Sequence, residues 1–379
     1  MKPKLRFDEF NDDWKKIKIS SFVTESKIRT GDTQKFPLWS LTIENGITPK
    51  TERYERSFLV KKEDNYKVVE PNDYVYNPMN AHLGAIARNK SGETISVSGY
   101  YDVFKINNTN YGFYDNYFVS PVMFKQYKLI STGSLLEKQR VHYSQFKELE
   151  IYVPSEKEQE KISYTLELLD KKIEYQQRKI DNIKLYKIYT KNKLFENGDI
   201  KCKLGDILTK WTLKNKDGQI NYVESISNKY GFIAQSDQFE ERNVASKDLK
   251  NYYIIEKNVF GYNPSRLNVG SLALKEDNKT SVVSPLYECF TTNQNNRYLL
   301  EWFDSKYFKK GTQSKFEGGV RNTLSFTNLC DIDINLPNKE KQDLYSLILE
   351  DFNKKIKLEE NKLTKLQELK KGFMQSMFV

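Results

Sequence analysis

The chain has 379 residues, a net charge of +10, and 38% hydrophobic and 13% aromatic residues. No apolar run is long enough to span a membrane, and three scattered cysteines (Cys202, Cys289, Cys330) exclude a disulfide framework or a zinc site. No signal-like apolar stretch follows Met1-Lys2-Pro3-Lys4-Leu5-Arg6, so the expectation is a cytoplasmic protein with room for two cores of about 150 residues each.

In chain order, the first segment holds Lys16-Ile17-Lys18-Ile19, then Phe22-Val23. Short β-rich stretches follow, such as Asp73-Tyr74-Val75-Tyr76 and Ile95-Ser96-Val97, separated by turn signals. Tyr76-Asn77-Pro78 leads through a loop to Gly84-Ala85-Ile86-Ala87. Arg140-Val141-His142-Tyr143-Ser144 precedes Leu149-Glu150-Ile151-Tyr152-Val153, which alternates like a half-buried strand and stops at Pro154. The proline opens a long helical comb: Ile162, Leu166, Leu169, Ile173, Gln176, Ile180, Ile183, Lys187, Thr190 and Leu194. Its steps alternate four and three residues, the period of a helix that packs along a partner helix.

All of this then repeats. Lys201-Cys202-Lys203-Leu204 with Ile207-Leu208 answers to the first segment, and Val259-Phe260-Gly261-Tyr262 is β-rich. Tyr262-Asn263-Pro264 with Gly270-Ser271-Leu272-Ala273 keeps the internal spacing. Arg321-Asn322-Thr323-Leu324-Ser325 is matched to Arg140–Ser144, and Pro337 to Pro154. Adding 183 to each comb position gives Tyr345, Leu349, Phe352, Ile356, Glu359, Leu363, Leu366, Lys370, Phe373 and Met377, with only Thr190/Phe373 changing character. Such self-similarity predicts an α+β chain arranged as globule (1–153), helix (154–196), globule (197–336), helix (337–379).

Charge and composition narrow the partner. The segments 156–196 and 339–379 carry ten Lys/Arg against eight Asp/Glu and nine against seven, so most of the +10 lies on the globules. Basic surface interleaved with tyrosine, Asn and Gln suits DNA, where Lys and Arg bind phosphates and Asn, Gln and Arg read base edges. First candidates are the loop from Asn77 to Arg88 and its counterpart from Asn263 to Leu274. Their contents differ, and Asn80, His82, Arg266 and Asn268 are placed to reach bases or phosphates. The same loops also read as tight turns begun by Asn-Pro and closed by Gly. Arg140 and Arg321, taken as matched, suit a shared phosphate contact or a brace for the final strand. Lys214 and Lys216 are generic phosphate binders.

Catalysis finds little support in the sequence. Asn77-Pro78 and Asn263-Pro264 resemble the start of an amino-methyltransferase motif, but Met79 and Ser265 follow where that motif needs proline and an aromatic. No Gly-x-Gly-x-x-Gly turn is present for a cofactor. Glu25-Ser26-Lys27 matches a nuclease tail at chance level, His82 and His142 lack metal-ligand spacing, and Gly318-Gly319 reads as a flexible turn.

Two divergent globules with repeated tails, the turn Val153-Pro154 then Glu158-Gln159-Glu160-Lys161-Ile162, and Leu168-Leu169-Asp170-Lys171-Lys172-Ile173 resemble the specificity subunit of type I restriction–modification enzymes. The opening Leu5-Arg6-Phe7-Asp8-Glu9-Phe10 with Trp14 is similar to the start of such subunits, and Asn338-Lys339-Glu340-Lys341-Gln342 is a looser second copy. The resemblance implies a non-catalytic reader with two target-recognition domains for the halves of a split DNA sequence. Two helices packed antiparallel would set the gap and dock two methyltransferase subunits, and two restriction subunits would join where the complex cuts. S-adenosylmethionine, ATP and magnesium would belong to those partners. About forty helical residues at ~1.5 Å span ~60 Å, against ~34 Å for a turn of B-DNA. Under a pseudo-twofold axis the mid-comb residues Gln176 and Glu359 would lie near each other as a polar layer fixing register, or would face solvent. A free-standing DNA-binding regulator and a scaffold joining two proteins are the alternative readings.

Overall fold

The computed structural model describes residues 1–50, 65–107, 110–132, 139–196, 198–228, 230–235, 248–267, 270–316 and 323–379. The chain divides into two compact units, Met1–Gln177 with Asn361–Val379, and Arg178–Glu360. Each unit therefore combines one globule with half of each long helix. Among the described residues the α-helices named here are α1 (Tyr111–Tyr117), α2 (Pro121–Ile130), α3 (Tyr143–Phe146), α4 (Glu156–Leu194), α5 (Asn296–Phe303), α6 (Lys306–Gln313), α7 (Phe326–Cys330) and α8 (Lys339–Ser376).

In the first unit the globule closes by pairing its first strand with its last: Lys15–Lys18 runs antiparallel to Glu150–Val153, Lys15 opposite Val153. Beside this ladder lies a four-stranded sheet in the order Val23–Ser26, Asp102–Ile106, Tyr74–Tyr76, Ile86–Arg88. Alternate sheet residues point into an aromatic core, in which Phe104 stacks on Tyr74 at 5.4 Å and contacts Phe118 and Phe146. α1 and α2 cover this face. Pro121 sits at the first turn of α2, where its missing N–H costs nothing, and Ser120 caps the Met123 N–H.

The second unit repeats the plan. Ile200–Lys203 pairs with Asp333–Leu336, and the four-stranded sheet runs Leu208–Lys210, Glu288–Thr292, Phe260–Tyr262, Leu272–Leu274. Phe260 stacks on Phe290 at 5.0 Å. Asn295 and Ser305 cap α5 and α6. Ordinary turn conformations recur as well: Asn72 and Asn258 both take positive φ, at 69° and 72°.

The long helices begin two residues after Pro154 and Pro337. Each start is locked by one glutamine. Gln159 donates from Nε2 to the Pro154 carbonyl at 3.1 Å, and Gln342 to the Pro337 carbonyl at 2.9 Å. All twenty comb positions are buried or half-buried. Packing is antiparallel within each unit: Asp170 meets Lys370 in the first, while Lys184 meets Glu360 and Lys187 meets Asn353 in the second. Lys370–Asp170 and Lys187–Asn353 are the same contact displaced by 183 residues.

The first globule is further clamped by the N-terminal segment. Glu158 accepts two hydrogen bonds from Arg6, both 2.8 Å, and one from the Trp14 indole at 3.2 Å. This bidentate, nearly buried pair explains the opening motif, because Arg6 and Trp14 hold the first turn of α4 against the globule. In the second unit Lys341 stands at the corresponding position and pairs with Asp199 at 3.1 Å.

Helix ends are plugged alike. Phe195 packs edge-on against Tyr298 at 5.2 Å, and Phe378, 183 residues later, packs against Phe113 at 5.8 Å and Tyr117 at 5.4 Å. The C-terminal residues Met377 and Phe378 are thus core residues of the first unit. Phe378→Ala is expected to cost roughly 3–5 kcal/mol in that unit. A thermal melt should lose its first-unit transition to lower temperature while the second is unmoved; a melt identical to wild type would contradict the plug.

One matched site is filled by opposite chemistry. Asn89 in the first globule is buried and donates to the carbonyls of Val69, Glu70 and Glu93. Its counterpart Lys275 is fully buried and pairs with buried Glu224 at 2.6 Å, which also accepts from Ser281 at 2.5 Å. Removing one partner strands a buried charge, so Lys275→Met should cost roughly 3–5 kcal/mol. The double change with Glu224→Gln should cost clearly less than the sum of the singles; additivity in chemical denaturation would show that the two groups do not act together.

Candidate nucleic-acid interface

The two candidate loops share one backbone. Asn77 Oδ1 accepts from the Met79 N–H and Asn263 Oδ1 from the Ser265 N–H, both at 3.0 Å. Each loop closes through a glycine in the left-handed region, Gly84 at φ 99° and Gly270 at φ 91°. Asn77 and Asn263 therefore use their side chains to make the turn. The following residues carry the difference: half-buried Asn80 and His82 in the first loop, exposed Arg266 in the second. Burial lowers the His82 pKa, with Lys128 adding to the effect. Asn268 lies outside the described residues.

Each loop is tied to the segment ahead of the last strand. Val141 N–H donates to Pro78 O at 2.9 Å and Leu324 N–H to Pro264 O at 3.0 Å. The Tyr76 hydroxyl donates to Val141 O at 3.3 Å and the Tyr262 hydroxyl to Leu324 O at 3.1 Å. These pairs correct the sequence matching by two residues. Val141 answers to Leu324, so Arg140 answers to Thr323, not Arg321, which lies outside the described residues. Arg140 itself is exposed, one residue from the bond to Pro78, and so belongs with Asn77, Asn80 and His82.

Arg88 has another occupation. Its Nε and Nη2 bind both oxygens of Asp115, Nη1 donates to Asn72 at 2.5 Å, and the guanidinium stands 4.8 Å from the Tyr111 ring. Arg88 braces the sheet against α1 instead of reaching outward. Asp115 also accepts from Lys90 at 2.8 Å and from Tyr74 at 2.7 Å; against the upward pull of burial, Arg88 and Lys90 hold its carboxyl below the usual range.

Lys214 and Lys216 occupy a different loop from Arg266. Between them Asn215 is buried, donating to Ile220 O at 2.9 Å and accepting from the Ile220 N–H at 3.2 Å. This anchor leaves both lysines exposed. On the helices, Gln176 and Glu359 are each buried, at 8% and 6% exposure, which removes the solvent-facing alternative; Glu359 pairs with Lys179 at 3.2 Å.

Sequence reasoning missed the outer face of the helices. Tyr164, Tyr175 and Tyr186 are exposed at eleven-residue intervals, three turns apart, and their counterparts Leu347, Leu358 and Leu369 are exposed as well. The eleven-residue spacing was available as a signal, but the comb drew attention to the packed face. Among the described residues no helix is long and apolar enough to cross a membrane.

At the opposite end of the hairpin from the first loop, beside Asn89, Asp73 is buried and its carboxyl is pushed up to about 6 by desolvation. Raised above its ordinary value of 3.8, it stabilises the fold relatively below pH 4, and that contribution is lost as pH rises through 6. Asp73→Asn should therefore raise stability by about 1–3 kcal/mol at pH 7.5 and leave it unchanged near pH 3.5. Equal effects at both pH values in urea titrations would contradict this.

No protein-family model and no curated protein matches the sequence. Solved structures do. The S subunit of a type I restriction–modification system from M. genitalium aligns over 100% of this chain and 99% of its own, with a TM-score of 0.55 at 14% identity. A chain from a study of complex assembly and conformational transition in the type I system aligns over 97% of both, with a TM-score of 0.61 at 12% identity. Alignments that span entire chains through both globules and both long helices show that this protein has the fold of the type I restriction–modification S subunit.

Proposed function

We propose that the chain is the non-catalytic DNA-specificity subunit of a type I restriction–modification complex. The observation that carries this reading is the pairing of a twice-used scaffold with two different loop surfaces, in a fold shared end to end with an S subunit. Each globule reads one half of a split double-stranded target. Exposed Arg140 joins Asn80 and His82 on the first, and Arg266, Lys214 and Lys216 act on the second, with Asn268 and Arg321 as further candidates there. Asn77, Asn263 and Arg88 shape the surface from behind. Buried Gln176 and Glu359 set the register of the helix pair, and hence the gap between the halves.

Two methyltransferase subunits dock on this chain. The exposed stripes Tyr164–Tyr175–Tyr186 and Leu347–Leu358–Leu369 support that reading, because an apolar face retained in both halves suits two copies of one partner. S-adenosylmethionine, ATP and magnesium act on the partner subunits, and two restriction subunits complete a cutting enzyme.

A map of N6-methyladenine in cells carrying a type I methyltransferase subunit, with and without this chain, tests the reading. The expected result is a new motif of two short defined halves around a fixed gap. A chain with Gln176→Leu and Glu359→Leu should keep both halves and relax the gap. Copurification with the methyltransferase but no new motif would sink the proposal.

A further inference from the structure

One element recurs in both globules and has no part in the reading above. Trp39–Thr42 pairs with Gly46–Pro49 as a two-stranded hairpin in the first globule, and Glu224–Ser227 with Gly231–Ala234 in the second. Thr42 lies opposite Gly46 and Ser227 opposite Gly231, so each turn encloses three residues. Both turns close alike. Thr42 Oγ1 accepts from the Asn45 N–H at 3.0 Å and Ser227 Oγ from the Tyr230 N–H at 3.4 Å. The glycine that ends each turn takes positive φ, 62° at Gly46 and 70° at Gly231.

These glycines also set where the hairpin lies. A Cβ built at Gly46 would stand 3.2 Å from the Ala87 Cβ, and one at Gly231 would stand 3.6 Å from the Ala273 Cβ. Each turn is therefore pressed against the strand that leaves its Asn-Pro loop. The tip reaches the loop itself: Ile43 Cγ2 is 3.9 Å from a Cβ built at Gly84, and Asn228 lines one cleft with Gly270. Hairpin tip and loop form one continuous surface in each globule.

The turn is kept while its contents are exchanged. Ile43-Glu44-Asn45 stands in the first tip and Asn228-Lys229-Tyr230 in the second. Ile43 and Tyr230 expose 49% and 66% of their surface, and Glu44, Asn45 and Asn228 are exposed as well. Two copies of one docking partner would meet like side chains in both globules, and phosphates would meet cations in both. A kept turn with exchanged side chains suits the component that differs between half-sites, the base edges. The carboxylate of Glu44 narrows this further. Phosphates repel it, and a DNA duplex offers it a hydrogen-bond donor only at an exocyclic base amine, such as cytosine N4 in the major groove. That groove, about 12 Å wide, admits a two-stranded ribbon.

We propose that the two hairpin tips are base-reading elements that enter the major groove beside the Asn-Pro loops, Glu44 and Asn45 on the first half-site and Asn228 and Tyr230 on the second. The assignment rests on the DNA-reading function above. The test is a map of N6-methyladenine made by the complete complex with its methyltransferase partner, with duplex binding over a range of salt, for Glu44→Ala, Glu44→Gln and Asn228→Ala. Glu44→Ala and Glu44→Gln should each relax one position of the first half, lowering discrimination there by about tenfold, and leave the gap and the second half unchanged. Asn228→Ala should do the same to the second half alone. Binding to non-target duplex should not weaken, and the salt slope should not fall, because no phosphate contact is lost. An unchanged motif in an assembled complex overturns the proposal. Equal weakening on target and non-target duplex would mean phosphate contact, and failure of the variants to assemble would mean protein docking; either also overturns it. A wild-type complex that prefers no split target defeats the functional reading itself, and the reading tips with it.

Discussion

Everything in this chain depends on the pairing of each globule's first strand with its last. Lys15 opposite Val153 and Ile200 opposite Leu336 bring entry and exit of the chain side by side, so the long helix leaves each globule where the chain came in. Proline then ends the strand, because it cannot donate to a ladder, and the Gln159 or Gln342 amide returns to its carbonyl to start the helix. A short ladder and one glutamine thus fix how a domain is joined to a helix. The chain uses the device twice, and the plugs Phe195 and Phe378 close each domain against the end of the other helix half in its unit.

Because the junction is fixed, the globules are free to differ elsewhere. On α2, Phe124 lies against Gly84, with only 3.1 Å to a Cβ built there, and Tyr127 is fully buried; at the matched positions of α6 stand Lys309 and Thr312. Where those aromatics are missing, the second unit has a cleft of about 710 Å³ floored by Leu267, Leu272 and Phe308. The Asn89/Lys275 exchange is of the same kind: one position is satisfied by backbone carbonyls in one globule and by a buried ion pair in the other. Paired changes of this sort keep the backbone while altering the side chains packed on it.

How much of this was legible follows from where physics constrains sequence locally. The helix comb was visible because a packed helix needs an apolar residue every three or four positions, and the Asn-Pro loops because the turn needs Asn and a glycine with positive φ. The junction prolines were visible for the same reason. Matching of Arg140 to Arg321 went astray by two residues, since alike side chains were aligned where only the hydrogen bonds from Val141 and Leu324 define the register. Partnerships across long sequence distance were not legible at all. Arg88 gives no sign of Asp115, nor Lys275 of Glu224, because nothing local dictates either pair. The C-terminal plug was within reach: Phe378 is Phe195 displaced by 183, one step beyond the comb.

The central claim is that the globules are two copies of one reading device on one scaffold. Replacing Ile200–Leu336 with a second copy of Lys15–Val153, joined at the matched ladder ends, tests it most directly when the methylated sequence is then mapped. The account predicts a symmetric motif built from one half-site repeated in inverted order around the gap. If the assembled complex instead keeps the original second half, or methylates no split sequence while wild type does, the two globules are not interchangeable readers and the account is wrong.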